Sequence, residues 1–278
     1  MKDAASTTDQ PATTVPANSV PASQALLDSL WDFGDPAASA ERFRRAADDQ
    51  SHGDLARAEL ATQLARALGL LGEFDGGDSV LDAVLDGAGH PANHLAKHPP
   101  ERLEARIALE RGRLRLSAGA PEDAVPLFTL AARKAASVGA QFLALDALHM
   151  LAIGDAGHEE EWAAEGLSVL EKSTDSRTRR WGVALHNNLG WHLHDSGRAE
   201  EALPEFQAAL AAAEAVGTTD QQFIGRWAVA RCLRTLGRTD EALPIQMRLA
   251  AERPGDEFVL AELSELAASS EVAPTIEV

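Results

Sequence analysis

One octad limits what this chain can fold into. Gly197-Arg-Ala-Glu-Glu-Ala-Leu-Pro204 returns as Gly237-Arg-Thr-Asp-Glu-Ala-Leu-Pro244 and, earlier, as Gly119-Ala-Pro-Glu-Asp-Ala-Val-Pro126. Each copy is a turn glycine, two spacers, two acids, an alanine, an aliphatic and a proline. The acids open a helix, where negative charge complements the helix dipole. A turn that recurs at a near-fixed period calls for stacked helix pairs, because one pair cannot bury its apolar face alone.

With the turn glycine at the fifteenth slot, units begin near 20, 58, 105, 144, 183 and 223. Gly34, Gly72, Gly119, Gly197 and Gly237 fill that slot, and His158, beside Gly157, fills it in the remaining copy. Successive starts differ by 38, 47, 39, 39 and 40 residues. The long interval contains Gly87–Pro100, a Gly- and Pro-rich loop, so the outlier is an insertion in a periodic array. Five positions past the glycine stand Ser39, Gly77, Ala124, Ala163, Ala202 and Ala242. Four further on are Phe43, Leu81, Phe128, Leu167, Phe206 and Gln246, and three beyond those Ala46, Val84, Ala131, Leu170, Ala209 and Leu249. A small, large, small ladder is a packing pattern for antiparallel helices.

Composition agrees. Alanine and leucine, strong helix formers, dominate the 278 residues, and no useful strand alternation occurs. The spacing predicts helices over 23–31, from 36, over 54–71, from 79, over 101–117 and from the turn at Gly119 to about Val138. Further helices are expected over 142–153, 159–172, 179–195, 200–216, 222–236, 240–252 and 257–268.

This ladder resembles the tetratricopeptide repeat, most closely in the unit at 183, with Leu189-Gly190, Gly197, Ala202, Phe206 and Ala209. The unit at 223 adds Pro254 where that family often has proline. There is no tyrosine, and Leu68, Leu193 or Leu233 stands in for the usual first-helix aromatic. The family standard is about 34 residues; a period near 39 is similar to the long repeats of kinesin light chains. The resemblance implies an all-α fold, a right-handed superhelical array of antiparallel helix pairs. The repeat domain is expected over residues 20–268, between disordered tails at 1–19 and 269–278.

Such arrays bind peptides or protein segments along the concave wall lined by first helices. If this chain follows, slots five, nine and twelve face the partner, one face of a helix. They hold Asn187, Trp191 and His194 in the unit at 183, and Trp227, Arg231 and Arg234 in the unit at 223; Arg113 is contributed by the unit at 105. Trp and Arg dominate binding hot spots, and paired arginines with Asn donors suit a carboxylate or an acidic segment. The same residues also read as packing, with Trp191 or Trp227 filling space between helices and the arginines pairing with neighbouring acids.

The expected function is a non-catalytic protein–protein interaction module or scaffold that binds a protein or peptide segment, acidic in character, in its groove. The alternative is a regulator in which a small peptide or metabolite alters the superhelix. Net charge is −18 and the pI about 4.8, which disfavours nucleic acid and anionic membranes as partners. No apolar run reaches the roughly 18 residues that cross a bilayer, and Met1–Pro21 lacks an apolar signal core, so a cytoplasmic protein is expected. No cofactor or metal is expected. Cys232 is the single cysteine and reads as a buried, inert thiol. His192 and His194 face different sides of one helix, and His186 lies two turns from His194. His90, His94 and His98 read as loop residues, and His149 as a packing histidine. Nucleophile and nucleotide signatures are missing, so an enzyme is not expected.

Overall fold

The computed structural model describes residues 19–86 and 99–271. The expectations for residues 1–18, for most of the inserted loop with His90, His94 and His98, and for residues 272–278 lie outside these. The helices, in chain order, are α1 (Gln24–Leu30), α2 (Pro36–Asp48), α3 (Asp54–Leu70), α4 (Phe74–Asp86), α5 (Glu101–Ser117), α6 (Pro121–Ser137), α7 (Gln141–Gly154), α8 (Glu159–Glu171), the single-turn α9 (Ser176–Arg179), α10 (Trp181–Asp195), α11 (Ala199–Val216), α12 (Thr219–Thr235), α13 (Thr239–Glu252) and α14 (Glu257–Glu271). No strand occurs among the described residues. The chain forms two compact units, Met1–Ala120 and Pro121–Val278. In the first, α3 packs on α2, α4 and α5; in the second, neighbours pack successively from α6 to α8 and from α10 to α14.

The repeated glycines do what their motif requires. Gly72, Gly119, Gly157, Gly197 and Gly237 all have φ between 73° and 91°, a region that L side chains enter only with strain. At Gly197 the backbone closes a Schellman turn: Gly197 N donates to His194 O at 3.0 Å and Arg198 N to Leu193 O at 2.9 Å. Gly237 repeats it with Arg234 O and Leu233 O, both at 2.9 Å. Gly34 differs, with no positive φ. There Asp35 caps α2 by accepting from Ala38 N at 2.9 Å, with Pro36 at the helix start.

The ladder is buried. Ser39, Ala124, Ala202 and Ala242 are fully inaccessible and Ala163 nearly so, as are Phe43, Leu81, Phe128 and Phe206. Close approach makes small residues obligatory at some points. A Cβ on Gly190 would lie 2.7 Å from Phe206 Cε1, and one on Gly77 would lie 3.2 Å from the Ala65 carbonyl oxygen. Pro126, Pro204 and Pro244 stand inside α6, α11 and α13, where each removes one helical hydrogen bond. All three stand on the outer side of their helices, where water can reach the carbonyls left free.

Several elements depart from expectation. α4 starts at Phe74, not 79. Its Gly76-Gly77 pair, which weakens helix propensity, is tolerated because only a bare residue fits at Gly77 against Ala65 and Leu114. The helix expected from Arg179 is split: Asp175 caps α9 through Thr178 N and Oγ1, both at 2.7 Å, and α10 begins at Trp181. In α3 the polar residues are buried too. Glu59 is inaccessible and accepts from Ala22 N at 3.1 Å and Arg102 Nε at 2.8 Å. A helix covered on several sides buries charge only when that charge is paired.

Gln246 occupies the slot that holds Phe in α6 and α11. It is fully buried, and neither its Oε1 nor its Nε2 has a partner. Gln246→Leu is therefore expected to stabilise the protein by about 1–2 kcal/mol, since it removes two stranded polar atoms. Calorimetry should show a higher Tm, and a lower one would mean that the amide is satisfied. Gly197→Ala is expected to cost about 1–2 kcal/mol in denaturant titration through backbone strain alone, and Gly197→Asn distinctly less.

Candidate functional site

The second unit carries a track of rings on α10, α12 and α14. Each helix brings one large aromatic to the same side: Trp191, Trp227 and Phe258. Trp191 and Trp227 have ring centroids 5.8 Å apart, and Trp227 meets Phe258 edge-on at 6.1 Å. Trp191 also sits edge-on to Phe206, at 4.8 Å, and to His194, at 5.4 Å. Such tilted contacts suit the quadrupoles of the rings. Both indoles are half-buried, whereas Phe258 is 62% exposed.

Arg231 lies over both indoles, with its guanidinium carbon 5.6 Å from Trp191 and 5.4 Å from Trp227. Its Nη1 donates to Glu262 Oε1 at 3.3 Å. Arg234 grips the same carboxylate with two bonds, Nε to Oε2 at 2.7 Å and Nη2 to Oε1 at 3.0 Å. Those bonds raise the Arg234 pKa, foremost through the Glu262 hydrogen bond, so its charge is permanent. Glu262 is only 2% exposed. Two cations thus share one buried anion, and Glu265 adds a further negative charge near Arg234. Three polar groups in this region lack partners: Trp227 Nε1, Arg231 Nε and the Gln246 amide. An orphaned buried polar group costs about 1–3 kcal/mol.

The structure brings Trp191, His194, Trp227, Arg231 and Arg234 together. His194 Nε2 lies 2.9 Å from Thr235 Oγ1, bridging α10 to α12. Asn187 stands half-buried on α10, one turn before Trp191. Arg113 belongs to α5 in the first unit, where its Nη1 bonds both oxygens of the buried Glu110 at 2.8 Å. Phe258 and Glu262 escaped the repeat alignment because α14 has no Gly-x-x-acid-acid-Ala turn to index it. A signal did exist: they are four residues apart, one helical turn, just past Pro254-Gly255.

The other candidate residues have local duties. Cys232 Sγ donates to Ala199 O at 3.3 Å, and burial pushes its pKa up to about 11. His186 Nδ1 lies 2.7 Å from Glu205 and His192 Nε2 3.6 Å from Glu160, so these rings have separate partners. His149 contacts the Trp181 ring at 5.2 Å, and its Nδ1 lies 3.4 Å from Asn188 Nδ2. Among the described residues no group of three or more His, Cys, Asp or Glu could hold a metal ion, and no helix is long and apolar enough to cross a membrane.

Two family models match the chain. One, described as tetratricopeptide repeat, spans residues 183–250; the other, described as tetratrico peptide repeat, spans 25–96. No curated protein matches. Among solved structures, the chain is similar to a singly substituted variant of a Podosopora anserina putative kinesin light chain with nearly identical TPR-like repeats. Identity is 17% and the TM-score 0.52, over 70% of this chain and 93% of that one. The same protein without that substitution gives 16% identity and a TM-score of 0.50, over 78% of this chain and 98% of the other. Buried small-residue ladders, left-handed turn glycines and matches at both ends lead to one conclusion: this chain belongs to the tetratricopeptide-repeat proteins, with long repeats like those of kinesin light chains.

Proposed function

We propose that the chain is a non-catalytic interaction module that holds a segment of another protein against the ring track of α10, α12 and α14. Tetratricopeptide repeats generally mediate protein–protein interaction. The observation that carries the specific reading is Phe258: a large ring, 62% exposed, that extends the line begun by two half-buried indoles. An exposed phenyl edge-on to a tryptophan is an anchor platform for an apolar side chain. Arg231 at its flank, laid over both indoles, supplies positive charge beside the rings, so the bound segment pairs an apolar anchor with an acidic residue. Arg113, in the first unit, and Asn187 are peripheral to this reading.

Reversing Arg231 and Arg234 together would be a poor test, because it would set two carboxylates against the buried Glu262. Phe258 is the clean position, since truncation there removes little buried surface. Phe258→Ser is expected to leave Tm within about 2 °C of the parent while cutting capture of the natural partner, measured by quantitative pull-down, at least about tenfold. Unchanged capture would place the binding face elsewhere. Glu262→Ala, by contrast, is expected to destabilise by about 2–3 kcal/mol, the low end for a broken buried pair because both arginines keep some water. Urea titration measures it.

A further inference from the structure

Between α8 and α11, over the start of α10, the second unit opens a cleft of about 550 Å3. Its apolar lining is mostly short: Leu170, Ala208, Ala211, Ala212 and Ala215. Gly182 adds no side chain at all, and a Cβ there would lie 3.1 Å from Leu170 Cδ2. The volume falls within the usual range of small-molecule sites.

The polar groups of the cleft are unevenly satisfied. His186 Nδ1 is held 2.7 Å from Glu205, and Glu171 stands on the α8 side. Ser173 is 6% exposed, and its hydroxyl has no hydrogen-bond partner. Arg179 is exposed, and its guanidinium makes no hydrogen bond or ion pair among the described residues. It belongs to a basic stretch of an acidic chain, with Lys172, Arg177 and Arg180. The other three are engaged: Lys172 Nζ with Ser168 Oγ, Arg177 over the Phe142 ring, and Arg180 Nε with Val216 O. A second cleft, of about 480 Å3, lies along α6, α7 and α8, and its lining holds Arg133 together with two acids, Glu161 and Glu165. Of these two clefts, only the first adds a buried, unpartnered hydroxyl to its apolar floor and cation, and it carries one acid, Glu171, against two in the other.

We propose that the first cleft binds a small aliphatic carboxylate, its head group beside Arg179 and the Ser173 hydroxyl and its chain on the alanine floor. An unpaired guanidinium and a stranded hydroxyl are the two donors a carboxylate accepts, and burial of each methylene on the floor favours binding further. The occupant would touch α8 and α11 at once and so tie the hairpin of α7 and α8 to that of α10 and α11, which carries Trp191.

Isothermal titration of the full chain with sodium octanoate, beside 1-octanol and octylamine, tests the proposal. Octanoate is expected to saturate one site, at least about tenfold more tightly than the alcohol or the amine. Arg179→Ala should weaken it at least about fivefold, and Ala211→Phe, which fills the cleft, should abolish it. Arg133→Ala in the other cleft and Phe258→Ser on the ring track should leave it unchanged. Circular-dichroism melts confirm that each variant folds; Arg179 is exposed, so its variant stands as the test if Ala211→Phe does not fold. No saturable heat up to about 5 mM, equal affinity for the alcohol, or wild-type binding by Arg179→Ala would overturn the proposal.

Discussion

Everything in this molecule depends on how near two helix backbones can come. The second helix of a pair meets the first through a side chain no larger than a methyl group, at Ala202 or Ala242, and that nearness lets the phenyl ring of Phe206 lie directly over Gly190. Packing of this density leaves no room for error: one added carbon at Gly190 would have to displace an aromatic ring. Because the contact recurs at a fixed distance from the turn, it also sets where every first helix points. Trp191 and Trp227 share a side because their helices are spaced by the same ladder.

Much of this was legible in the chain. The octad marks the turns, and residues five and nine positions later mark the buried face, so the hairpins and their caps follow from spacing alone. The gathering of Trp191, Trp227 and Arg231 was likewise readable, since equivalent slots on successive helices must line up. What spacing could not reveal is how a surplus is resolved. Arg231 and Arg234 read equally as partner-facing cations or as mates of some neighbouring acid until α14 brings Glu262 beneath them, and α14 lies outside the repeat register. α3 escaped for a related reason: periodicity marks an apolar stripe, but only the neighbours decide whether the polar remainder sees water, and here Arg102 and Ala22 cover Glu59. The short helix α9 depends on one Asp–Thr cap, which interrupts an otherwise helical run.

The buried glutamate gives the ring track a second property. A guanidinium on a flexible stem loses considerable freedom when it captures a ligand. Arg234, fastened by two bonds to Glu262, and Arg231, laid across two indoles, have lost most of that freedom already. The surface of this acidic chain therefore carries a fixed positive element in a place where its own acids have been used to aim it. On the proposed reading, a segment held there meets a rigid surface, with selectivity set by shape.

The turn glycines carry a consequence of another kind. At Gly119, Gly157, Gly197 and Gly237 no heavy atom lies within 4 Å of where a Cβ would stand. The bends are pinned by torsion and by backbone hydrogen bonds such as Arg198 N to Leu193 O, and a side chain there would meet no neighbour. A D-residue, which takes up positive φ without strain, could therefore carry a fluorescent label at each bend and hold it in open solvent, leaving the turn and the interior as they are.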